Sequence, residues 1–123
     1  MNSKIIATTL ALAFGSALSN AECTGPEVPS LPAGDSATME QMIAGQGAVK
    51  SFQATNIEYM SCLEKLFTEA AAVVKDASGD AQDAAQASYD TAEAAYNNAV
   101  SKEEEVADAF NTAIRAFKAA NPS

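Results

Sequence analysis

Two long rows of apolar residues, each spaced for a helix and separated by a short turn sequence, limit the fold of this chain more than any other feature. In the first row, apolar or small residues recur at alternating steps of three and four. They are Met42, Gly45, Val49, Phe52, Tyr59, Leu63, Leu66, Ala70, Val73 and Ala77, with Asn56 the one amide. Met39, Ile57, Met60, Phe67 and Val74 widen the stripe on its flanks. The second row is richer in alanine: Tyr89, Ala92, Tyr96, Ala99, Glu103, Val106, Phe110, Ala113, Phe117 and Ala120, flanked by Val100, Ala107 and Ile114. Steps of three and four align side chains along one face of a helix, whereas a strand would need steps of two. Both rows therefore read as coiled-coil-like seams.

End signals agree with that reading. Thr38 with Gln41 fits a capping box, and Glu40 suits the positive end of the helix dipole. Ala77-Ser78-Gly79-Asp80 reads as the turn, with Lys75 at the close of the first helix, Gly79 as a left-handed cap and Asp80 as the cap of the second. Asn121-Pro122 ends the second helix. The prediction is all-α: a long antiparallel helical hairpin over 36–123, with helix one at about 38–77, a turn at 78–80 and helix two at about 81–120. A helix of about 40 residues is about 60 Å long. Around such a turn residue i faces roughly residue 157 − i, which brings Phe110 near Gly45 and Gly47, and Arg115 near Glu40. The two glycines cost about 1 kcal/mol each relative to alanine. Either they break the first turns of the helix, or they let a bulky partner side chain approach.

Two segments precede the hairpin. Residues 1–21 read as a signal peptide cleaved after Ala21: a basic start at Lys4, an uncharged apolar run from Ile5 to Leu18, then Ser19-Asn20-Ala21. That run would be about 21 Å long as a helix, against about 30 Å of bilayer hydrocarbon, so no membrane span is expected. A lipid anchor on Cys23 is also unexpected, because Glu22 directly precedes it and Asn20 stands where leucine is usual. Residues 22–35 form an arm with Pro26, Pro29 and Pro32, one at every third position, and should be extended.

Export places Cys23 and Cys62 in an oxidising compartment, where an even count favours a disulfide. Lengths support an intramolecular bond. Cys62 lies about 36 Å into the first helix, and residues 23–37 span about 43 Å as a polyproline helix. The arm can thus fold back along the helix and reach Cys62. Closing that loop should stabilise by about 3–4 kcal/mol in the chain-entropy account, a contribution that a small two-helix domain needs.

Several short stretches resemble a family of small periplasmic or secreted proteins of Gram-negative bacteria. They are the arm (Cys23, Pro26, Pro29, Pro32, Gly34), Met39-Glu40-Gln41-Met42, Gln46, Val49-Lys50 with Phe52, Tyr59-Met60-Ser61-Cys62-Leu63, and Phe110 to Lys118. The family pattern often has proline directly after the first cysteine, where this chain has Thr24. The resemblance implies compartment and fold, and brings no catalytic or ligand residues with it.

Little chemistry is announced. The chain holds no histidine, which removes the commonest general base and zinc ligand. Glu103-Glu104-Glu105 with Asp108 is the densest carboxylate cluster and reads as a solvated acidic face. Glu103 and Asn56 fall on the seams themselves, where an amide can fix register. The formal charge is −9, one unit lower once Lys4 leaves with the leader, and such a surface repels nucleic acid and anionic lipid.

The expectation is therefore a non-enzymatic protein of the periplasm or exterior, with no catalytic, metal or cofactor site, acting through helix-mediated contacts. Ile57, Met60, Val74 and Val100 are its expected interaction face, toward a second copy in a four-helix bundle or toward an envelope protein. The alternative is a carrier of a small apolar ligand or lipid, in a groove between helices and arm lined by tyrosines and methionines.

Overall fold

A computed structural model describes residues 23–123, and the leader expected over 1–21 lies outside the described residues. Two helices, α1 (Met39–Asp76) and α2 (Gly79–Ala120), pack against each other, with the arm running beside them. The capping box forms as the sequence implies. Thr38 Oγ1 accepts from the Gln41 N–H at 3.1 Å, and Gln41 Oε1 accepts from the Thr38 N–H at 2.8 Å. Neither Gly45 nor Gly47 interrupts α1.

The connection is shorter than expected and lies earlier. Ala77 and Ser78, both extended, are the whole of it. Gly79 is left-handed (φ 64°), but it opens α2 instead of capping α1, so helix two begins before residue 81. Ser78, without a side-chain capping bond, holds the N-cap position foreseen for Asp80. At the end of α1 the Val73 carbonyl accepts from the Ala77 N–H, and the Val74 carbonyl accepts from Gln82 Nε2 across the turn. With those carbonyls satisfied, a glycine cap on α1 is not needed.

Buried residues recur every seven positions on both helices. On α1 they are Met42, Val49, Asn56, Leu63 and Ala70; on α2 they are Ala85, Ala92, Ala99, Val106 and Ala113. Asn56 Nδ2 donates to the Ala99 carbonyl at 3.0 Å and sets the level of the pairing. The register is thus two residues away from the expected one. Antiparallel winding from that level brings Leu63 beside Ala92, Val49 beside Val106 and Met42 beside Ala113. Larger side chains of α1 mostly meet small ones of α2, and the alanines allow the helices to approach closely enough to bury them. Leu63 and Ala92 are both only 1% exposed.

The main apolar cluster lies at the end of the hairpin away from the turn. Met42, Val49, Phe52, Val106, Phe110 and Ala113 form it, and Leu31, Ala37, Ile114 and Phe117 pack around it. Nearer the turn, Phe67 sits edge-on between Tyr89 and Tyr96, with ring centroids 5.8 Å apart in both pairs. Tyr59, Tyr89 and Tyr96 are half-buried.

Three details depart from expectation. Val73 is exposed and its neighbour Val74 half-buried, the reverse of their assigned places. A straight helix drifts about 20° per heptad against a seven-residue repeat, and over five heptads that drift rotates Val74 inward. Arg115 Nη2 donates to Thr112 Oγ1 at 3.1 Å, and the pair with Glu40 does not form. Among the described residues the one ion pair is Lys102–Glu105, exposed on both sides. Finally, Gly47 faces open space, so only Gly45 has the packing reason offered for both.

Candidate functional site: the arm groove and the open face of the first helix

Polyproline geometry turns the spacing of the arm into a contact face. With three residues per turn, every third residue points the same way. Cys23 is buried and Pro26, Pro29 and Pro32 are half-buried, while most of the residues between them are exposed. One row thus faces the helices, with the cysteine as its first member. Cys23 is bonded to Cys62, with Cα atoms 5.7 Å apart.

Two contacts measure the path. A Cβ placed on Gly25 would meet the Tyr59 ring at 3.1 Å, and one on Gly45 would meet Pro32 at 2.8 Å and Phe110 at 3.2 Å. From Gly25 to Pro32 a polyproline chain covers about 22 Å. From Tyr59 back to Gly45, α1 covers about 21 Å. The arm therefore runs antiparallel to α1 in step with it, and Gly45 is the place where Pro32 and Phe110 close in.

Beyond Pro32 the chain turns, with the Ser36 N–H donating to the Ala33 carbonyl at 3.1 Å. Gly34, at this elbow, is buried with its backbone against the Ala113 carbonyl of α2, where a Cβ would collide with the backbone itself. Gly34→Ala should therefore destabilise by about 1–3 kcal/mol, the usual cost of overpacking, because a main-chain carbonyl cannot swing aside. Thermal unfolding of the variant checks this, and an unchanged midpoint would show that the elbow can lift away freely.

Between arm and α1 lies an open depression of about 540 Å³, lined by Ser30 to Ala33, Ser36 and Ala37 on one side and by Gln41, Ala44, Gly45 and Ala48 on the other. Apart from Leu31 and Gln41, its walls are small side chains and Pro32. The tyrosines and methionines expected to line a carrier groove lie elsewhere. Tyr59 is under the arm, Tyr89 and Tyr96 flank Phe67, and Met42 is in the core.

The expected interaction face is not gathered into one patch. Ile57 is 58% exposed, and Met60, one turn further along α1, is half-buried. Val74 is half-buried about 25 Å from Ile57 along the same helix. Val100 is 37% exposed on α2. Instead Ile57 shares a face with Met39 and Ile43, which are 59% and 60% exposed. At about 100° per residue these three fall in one narrow sector of α1. That sector lies on the side away from Gly45, Ala48 and Cys62, the residues beside the arm. Met39 belongs here rather than on the flank of the seam. Ile43 escaped the sequence reading, although its spacing of two heptads from Ile57 was the available signal.

The carboxylates are spread out. Glu103 is half-buried and accepts from Asn56 Nδ2 at 3.3 Å, while Glu104 and Asp108 are exposed. Among the described residues no three His, Cys, Asp or Glu side chains gather as metal ligands would, and no helix is long and apolar enough to cross a membrane. Compared with protein-family models, with curated proteins and with solved structures, the chain finds no match.

Proposed function

We propose that this is an exported, non-enzymatic protein whose working part is the open face of α1, and that the face pairs with a second copy of the same chain. The leader over 1–21 would deliver it to the periplasm or exterior, and an internal disulfide suits either compartment. The observation that carries the reading is the row Met39, Ile43 and Ile57, three large apolar side chains that neither α2 nor the arm covers. Solvent-facing apolar rows of this kind mark contact surfaces.

Charge placement favours self-pairing over an unrelated partner. Lys50 and Glu64 are exposed on the same face, each seven residues from Ile57 on opposite sides. An antiparallel copy centred on Ile57 brings each Lys50 to the Glu64 of its partner, as a two-fold interface requires. Such pairs add little affinity, about 0–1 kcal/mol each, but they select orientation. The result is a four-helix bundle with the two arms on its outer sides.

Light scattering on the size-exclusion peak tests this. The wild-type protein should elute as a dimer at tens of micromolar, and Ile57→Glu should move it to a monomer with unchanged helical content. A monomer at every concentration tried would defeat the proposal. The carrier reading has less beneath it, since the depression beside the arm is open to solvent and lined by none of the tyrosines or methionines.

A further inference from the structure

The arm is held in two unlike ways. Its back half is part of the fold: Leu31 and Ala37 pack on the apolar cluster, Pro32 abuts Gly45, and Gly34 is seated on α2. In its front half, Thr24, Gly25, Glu27, Val28 and Ser30 are exposed, with Val28 at 56%. Pro26 and Pro29 rest half-buried on the helices. Hydrogen bonds involving the arm, among the described residues, begin only at Ala33. The covalent tie of the front half is the bond from Cys23 to Cys62, at the level where the arm crosses the Tyr59 ring.

We propose that this disulfide is a redox latch: its reduction by a dithiol frees residues 23–30 and uncovers Tyr59, while the hairpin and the back half of the arm stay in place. In the exchange two electrons and two protons pass from the dithiol to the bridge. Cys23 and Cys62 become thiols, and the reductant leaves as its own disulfide. In an oxidising compartment the latch is closed. Reduction opens a track beside Tyr59 shaped for an extended chain with an apolar residue at every third position, the form of the segment that has just left it.

The experiment is timed cleavage of the full mature chain by a glutamate-specific protease, with and without excess dithiothreitol. Mass spectrometry follows the cut after Glu27, and circular dichroism follows the helices in the same samples. Cutting at a folded site tracks the population of the open form. The expected result is cleavage after Glu27 at least about tenfold faster in the reduced protein, equivalent to about 1.4 kcal/mol of easier opening, with helical signal retained and the α1 glutamates uncut. Equal rates would overturn the latch, since the front half would then be held by its own packing. Collapse of the helical signal on reduction would overturn it too, because the bond would then be a staple for the whole domain.

Discussion

Replacing Cys62 with serine should lower the unfolding free energy by about 4 kcal/mol, the chain-entropy value for a loop of this length. The bonded residues are 39 apart in sequence. Without the bond, the unfolded chain regains the freedom of that loop while the hairpin seam is untouched. Domains of this size hold about 5–15 kcal/mol in total, so the variant should remain folded at room temperature but with much of its margin gone. Urea titrations of both proteins would show the loss as a lower midpoint. The double variant Cys23→Ser/Cys62→Ser should be no worse than either single one, because the two residues act as a unit. An unchanged midpoint would mean that loop closure contributes nothing to this fold.

The second large effect is expected at Asn56, which is 2% exposed. Its Nδ2 group points at two acceptors, the Ala99 carbonyl and the Glu103 carboxylate. Asn56→Asp keeps the shape, removes both donors and sets a new carboxylate against the old one. Leaving a charge buried and unpaired costs about 3–5 kcal/mol, and equilibrium unfolding at neutral pH should show a loss in that range. Asn56→Leu is the informative contrast. An apolar side chain of similar volume leaves no buried donor behind, and Glu103 is only half-buried, so its unfolding midpoint should move little. A heavy loss in the leucine variant would show that the hydrogen bonds themselves hold the helices together. A mild effect in the aspartate variant would show that water reaches this level of the seam.

Much of the architecture was legible in the residues because local periodicity carried it. Steps of three and four gave both helices, Thr38 and Gln41 gave the start of α1, and prolines at every third position gave the arm its contact row. The register was misread by two residues for one identifiable reason. Gly79 and Asp80 look like turn residues, yet both belong to α2, and the centre of symmetry lies between Ala77 and Ser78. Moving the centre by one residue moves every pairing by two. The exchange of Val73 and Val74 has another source, the slow drift between helical twist and a seven-residue pattern. The open face was only half legible. Ile57 stood out, while Ile43 sits directly beside the seam residue Met42 and needed the position of the arm to define which side of α1 is uncovered. Gly34 could not be read at all, because its contact with Ala113 joins residues far apart in sequence through the elbow of the arm.

The placement of the bridge also decides where the chain enters the folded body. Cys62 stands about 35 Å from the start of α1 and about 21 Å from its end at the turn. Whatever precedes Cys23 must therefore join the rod along its flank, beside Tyr59, rather than at a tip. The C-terminus, in contrast, leaves from the end opposite the turn, the end that also carries the elbow at Gly34. A label or tether fused at the front would hold the molecule broadside to its support. One fused at the back would hold it upright, with the Met39 end of the Met39–Ile57 face nearest the surface.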